Sequence, residues 1–99
     1  MFRVGVSAVV RSAAGEVLLV RTEAAAWELP GGRVERADSG ASDGNETLFD
    51  ALRREVLEES GCTLDAIGRL SGVYHVVESG LVLLVFFATS NAAVALSAA

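Results

Sequence analysis

With 99 residues and no Pro/Gly/Ser-rich linker between two hydrophobic stretches, the chain provides for one domain, residues 1–99, with a single core. A hydrophobic share of 52% excludes disorder for most of it, and the longest apolar run, Leu81 to Ala88, falls well short of the roughly 20 residues of a membrane-spanning helix. Net charge is −5, all eight basic residues are arginine, and the one adjacent basic pair is Arg53–Arg54, so neither a membrane nor a long nucleic acid is an expected partner.

The N-terminus reads as mature protein, because it lacks an apolar run followed by a small-residue cleavage site. Phe2, Val4, Val6, Ala8 and Val10 recur at period two, which predicts a strand over Phe2–Arg11. Glu16–Arg21 is a second strand-like run, and Ser12-Ala13-Ala14-Gly15 supplies the turn of a hairpin. WELPGGRVE, residues 27–35, interrupts extended structure with a tight bend at Pro30-Gly31-Gly32. The small polar residues 37–45 have the composition of an exposed loop.

From Glu46 to Ser60 the pattern is helical, with Leu48, Phe49, Leu52 and Val56 in one stripe, Asn45 as N-cap and Gly61 as C-cap. Leu70–Val77 and Leu81–Thr89 form a further strand pair joined near Glu78-Ser79-Gly80. Asn91–Ala99 is small and Ala-rich and receives no assignment. Strands, one amphipathic helix, then strands describe an α/β or α+β domain with the helix packed on a mixed sheet. Cys62 cannot form an internal disulfide; it is expected as a buried apolar residue, and its reduced state fits a cytoplasmic location.

On the helix, Glu55, Glu58 and Glu59 stand at i, i+3 and i+4, so their carboxylates share an arc of about 100°. Such spacing is repulsive unless a cation joins the acids, and an all-oxygen ligand set suits Mg²⁺ or Mn²⁺. An acidic helix edge alone is usually only a solvated face.

The surrounding residues decide otherwise. Arg54-Glu55-Val56-Leu57-Glu58-Glu59-Ser60-Gly61-Cys62 resembles the second half of the Nudix box, R-E-U-x-E-E-x-G-U with U apolar, at every defined position. Glu46 precedes Arg54 with seven residues between, and Gly40 precedes Glu46 with five, which also satisfies the box's G-x5-E-x7-R-E. WELPGG, however, resembles the family's usual approach to the box, so the turn is assigned to Gly31–Gly32 and residues 39–45 to an inserted loop.

The resemblance implies an α/β/α sandwich with a mixed sheet, and hydrolysis of a pyrophosphate bond in a nucleotide-like diphosphate. It further implies that Glu55, Glu58 and Glu59 hold Mg²⁺, or Mn²⁺, with the Gly31 carbonyl as a further ligand and Arg54 orienting a carboxylate. Glu46 is either a ligand or second-layer residue, or a favourable charge at the helix N-terminus. Glu55 is the first candidate for the general base and Glu78 a distant second. Trp27 reads as a core or pocket-wall aromatic and His75 as a structural residue on a strand.

The family usually continues with another strand and a helix, so the C-terminal end is expected to be truncated relative to it. That shortening favours the alternative of a catalytically silent nucleotide-binding or interaction module, whereas the intact helix acids favour the enzyme. With little sequence following to cover it, the apolar strand at 81–88 is also expected to expose an edge or patch that promotes a homodimer.

Overall fold

The computed structural model describes residues 2–34 and 46–91. The elements are β1 (Arg3–Ser12), β2 (Val20–Arg21), β3 (Trp27–Glu28), β4 (Gly31–Arg33), α1 (Leu48–Ser60), β5 (Ala66–Val76) and β6 (Leu81–Ser90). Four strands make a mixed sheet in the order β4-β1-β6-β5, and β2 and β3 pair separately. β1 runs parallel to β6 in continuous register from Arg3 opposite Leu81 to Ser12 opposite Ser90, while β4 and β5 are antiparallel to their neighbours.

The period-two reading of β1 explains its inner face. Val6, Ala8 and Val10 are fully buried against Ala51, Leu52 and Val56 of α1, with Phe86 and Ala88 of β6 closing the cluster. Phe2 and Val4 continue the pattern but lie beyond the helix and are exposed. On the other face Gly5 lies against the side chains of Leu81 and Leu83 and Ser7 against Gly31, so both are buried as well and burial does not alternate there.

The Glu16–Arg21 run is only partly a strand. The expected turn is present, with Gly15 N–H donating to the Ser12 carbonyl at 2.9 Å, but pairing back to β1 reduces to an isolated bridge, Arg11 opposite Val17. The run then turns to β3, so that Leu18 and Val20 reach the interior while Arg21 pairs with Trp27.

The helix starts at Leu48, two residues later than expected. Its N-cap is Thr47, whose Oγ1 accepts from Asp50 N–H at 3.1 Å; Asn45, the cap expected from the sequence, lies outside the described residues. Gly61 ends the helix as predicted, in the left-handed region at φ 75°, where its N–H reaches Leu57 O. Of the anticipated apolar stripe, Leu52 and Val56 are buried and Leu48 and Phe49 are exposed, Phe49 meeting Phe86 edge-on at 5.3 Å.

The second strand pair is longer than expected at β5. The apolar β6 is not an edge: it is hydrogen-bonded on both sides, and the edge next to it is β5, with Leu70, Val73, Tyr74 and Val76 exposed. Its register with β6 shifts twice, between Ile67 and Leu70 and between Leu70 and Gly72. Ser90 is buried and donates to the Thr63 carbonyl at 2.7 Å, which ties the end of β6 to the segment after α1. Cys62 is a free, buried cysteine of that segment, as expected. Among the described residues there is one helical layer, and no helix is long and apolar enough to cross a membrane. The inserted loop at 39–45, Gly40 and the segment 92–99 lie outside them.

Candidate active site

The site forms where the second half of α1 faces β4. At about 100° per residue, Glu59 and Glu55 fall within roughly 20° and 60° of fully buried Leu52, whereas Glu58 falls about 120° away. Side-chain exposure is correspondingly 17% for Glu55 and 57% for Glu58. The core-facing stripe therefore carries two of the three acids toward the sheet.

What they meet is the double glycine. Gly31 N–H donates to Glu59 Oε1 at 2.7 Å. A Cβ on Gly32 would overlap the Glu55 carboxyl group, and one on Gly31 would overlap the Val6 carbonyl and Ser7. Antiparallel pairing of β4 to β1, Gly31 opposite Ser7 and Gly32 opposite Val6, fixes this turn against the sheet. Gly31 and Gly32 are thus spatial partners of the helix acids, the arrangement expected if the motif's turn lies at 31–32.

Arg54 gathers the other contacts. Nε and Nη2 grip the two Glu46 oxygens at 2.7 and 3.0 Å, and Nη2 also donates to the Arg33 carbonyl at 3.2 Å. Nη1 donates to Glu55 Oε1 at 2.7 Å and reaches the two Glu58 oxygens at 3.3 and 3.4 Å. Glu46 therefore belongs to the site as the anchor of Arg54; lying just before the N-cap, it was visible from the motif's spacing but not from helix periodicity. The Glu46 contact above all keeps the guanidinium more firmly protonated than usual. Burial raises the Glu55 pKa above the ordinary carboxylate range, and Glu58 and Glu59 add to the rise, while Arg54 opposes it without reversing it.

Four carboxylates (Glu46, Glu55, Glu58, Glu59) against one guanidinium leave three negative charges here among the described residues. The donors are hard oxygens, and by that chemistry they fit Mg²⁺ or Mn²⁺. Among the described residues, no three acidic, histidine or cysteine side chains already stand around one point; the acids are drawn to Arg54 and Gly31 instead. A cavity of about 230 Å³ opens beside them, lined by Gly5, Ser7, Glu28, Gly31, Arg33 and Glu59 among others. A larger cavity of about 530 Å³ lies further along β1, where Arg11, Arg69 and Phe87 contribute to its walls and no carboxylate does, so it is not where this chemistry is placed.

Three other candidates fall elsewhere. Trp27 is not a core aromatic: it is exposed, with the Arg21 guanidinium 5.8 Å from its ring centroid, because the short β2–β3 pair holds it off the main sheet. His75 is on β5 as expected, edge-on to Phe2 at 5.3 Å. Glu78 is exposed in the turn between β5 and β6.

Comparison with known proteins identifies the family and the fold. The model of the NUDIX domain matches residues 1–96. A MutT-like protein of Streptomyces ambofaciens is 37% identical over 84 residues, 84% of this chain and 49% of its own length, so the chain spans about half that curated relative. Among solved structures, a MutT protein from Methanosarcina mazei Go1 superposes with TM-score 0.71 at 32% identity, covering 96% of this chain and 69% of that one. A MutT NUDIX hydrolase from Burkholderia pseudomallei gives 0.65 at 28% identity, with 93% and 68% covered.

Proposed function

The chain belongs to the NUDIX domain family, and from that premise we propose that it hydrolyses a pyrophosphate bond in a nucleoside diphosphate derivative with the help of Mg²⁺. The observation that carries this reading is the lodging of Glu55 and Glu59, from one turn of α1, against Gly32 and Gly31. It brings hard-oxygen donors and a double-glycine turn together beside a cavity that Gly31, Gly32 and Glu59 line.

Glu55, Glu58 and Glu59 would hold the ion, with the Gly31 carbonyl as a further ligand. When bound, Mg²⁺ supplies charge neutralisation to the phosphate oxygens and acidifies a water molecule. The residues around it provide the rest. Glu59 fixes the helix to the turn through Gly31 N–H, so donors and phosphate share one frame. Glu55, with its raised affinity for protons, is suited to accept the proton of the attacking water, and in the metal-free site Arg54 positions its carboxylate. The product is a phosphate monoester and a second phosphate-bearing fragment.

Incubation with nucleoside diphosphate derivatives and Mg²⁺, followed by chromatography of the phosphate-containing products, tests this directly. Cleavage that stops on adding a chelator is expected; binding without turnover of any derivative would overturn it. That outcome would leave the second reading, a silent nucleotide-binding module. The exposed apolar side chains of β5 are the proposed contact of a homodimer, and a clean monomer by light scattering at high concentration would count against it.

A further inference from the structure

The two edges of the Arg54 guanidinium do different things. Nε and Nη2 form a short fork on Glu46, 2.7 and 3.0 Å, of the kind that fixes a guanidinium in place. Nη1, on the far edge, lies between two acids that the reading above assigns to the cation, 2.7 Å from Glu55 and 3.3 and 3.4 Å from Glu58. The Glu58 contacts are long and divided between two oxygens, so Glu58 is the more weakly held of the two acids on this edge. Glu55, Glu58 and Glu59 on one helical turn repel one another, and among the described residues Arg54 is a cation in contact with Glu55 and Glu58 that offsets that repulsion.

We propose that Arg54 is a built-in placeholder for the divalent ion: in the metal-free protein Nη1 holds Glu55 and Glu58 together, and it yields them to the ion while the Glu46 fork keeps the guanidinium docked alongside. This rests on Glu55 and Glu58 being ligands. An N–H and a metal ion cannot use the same oxygen lone pairs equally well, and a guanidinium left beside a divalent ion repels it. Arg54 therefore steadies the metal-free fold and lowers metal affinity. A residue that only oriented the carboxylates for the metal would do the opposite, since its loss would loosen the ligands and weaken binding.

Manganese binding, read from the EPR signal of free Mn²⁺, separates the two. Arg54→Met should tighten binding about tenfold, as expected when a unit charge roughly 5 Å from a divalent ion is removed in a water-like dielectric. Arg54→Lys, which keeps the charge but loses the bidentate grip on Glu46, should tighten binding less than Arg54→Met does. Metal-free Arg54→Met should melt below wild type, and saturating Mn²⁺ should narrow the gap. Glu58→Gln tests the underlying reading: binding as tight as in wild type would remove Glu58 as a ligand and the placeholder with it. If Glu58→Gln binds weakly but Arg54→Met binds no better than wild type, the ligand assignment stands and the placeholder is wrong. Should Arg54→Met not fold, nitrogen NMR of the wild-type guanidinium during Mg²⁺ titration answers the same question. Nη1 should shift while Nε stays constant, and an unmoved Nη1 would overturn the proposal.

Discussion

The carboxylate of Glu55 occupies the space that a side chain on Gly32 would fill: a Cβ placed there overlaps Cδ and Oε2 and lies 2.7 Å from Oε1. The overlapped atoms are the far end of a flexible side chain, so Gly32→Ala can be accommodated by moving Glu55 aside. The fold should survive, with a melting temperature within a few degrees of wild type, and hydrolysis should fall at least about tenfold because the candidate base is displaced. For Gly31→Ala the expectation is reversed. Its Cβ meets the Val6 carbonyl and Ser7 Cα, which are backbone and cannot rotate away, so stability should drop by about 1–3 kcal/mol. Thermal melts beside rate measurements on the two variants check the contrast.

Glu58→Gln and Glu59→Gln remove charge and keep size. In Glu59→Gln the new side chain still has a carbonyl oxygen to accept from Gly31 N–H, so both variants should fold. In wild type Mg²⁺ should raise the melting temperature; in the variants that rise should shrink, and the rate should fall by about two orders of magnitude or more. Glu59→Gln turning over the best substrate like wild type, with unchanged Mg²⁺ dependence, would return the helix acids to the role of a solvated face.

Much of the fold and part of the site are legible in the chain itself. Alternation at Val6, Ala8 and Val10 locates the central strand, the Leu52–Val56 stripe locates the helix, and Gly61 locates its end. These signals are local, set by one element's own periodicity. What escapes the sequence depends on distant partners. Glu16–Arg21 looks like a full hairpin strand, yet the chain leaves β1 after one bridge and pairs Val20 with Glu28. Thr47 and Asn45 are both acceptable caps by type. The fork of Arg54 on Glu46 crosses the helix start, where neither a 3.6-residue nor a two-residue period applies, so its geometry needs the fold.

Burial, more than any neighbour, raises the proton affinity of Glu55 in the folded chain, and this fixes a sign. A carboxyl whose folded pKa lies above its unfolded value favours the folded state fully below the unfolded pKa, and that contribution is lost as pH rises through the folded pKa. In metal-free protein, Glu55→Gln should therefore differ little from wild type in acid and become relatively more stable as pH passes upward through and beyond the ordinary glutamate range. Chemical denaturation with chelator across that range measures the difference. A relative stability that falls with rising pH would mean that the contacts with Arg54, not burial, govern Glu55.

Leu52 joins the helix that carries the acids to the sheet, and it is fully buried in the cluster with Val6, Val10 and Phe86. Leu52→Ala should cost about 2–5 kcal/mol, a large part of the roughly 5–15 kcal/mol of a domain this size. Urea denaturation reads the loss directly; a cost under about 1 kcal/mol would place the helix outside the stabilising core.

Two glycine positions compete for the start of the motif's turn. Gly40 satisfies the spacing to Glu46 and Arg54 by count, but it lies outside the described residues, whereas Gly31 and Gly32 are in contact with Glu59 and Glu55. Those contacts are made by β4, which is held to β1 independently of residues 39–45. Removing 39–45 and rejoining the chain with a short turn should thus preserve both the fold and metal-dependent hydrolysis. Circular dichroism and the product assay on the deletion variant give the answer. A folded variant without any hydrolysis would move the turn to Gly40, because a spacer can be shortened but a segment that contacts phosphate cannot.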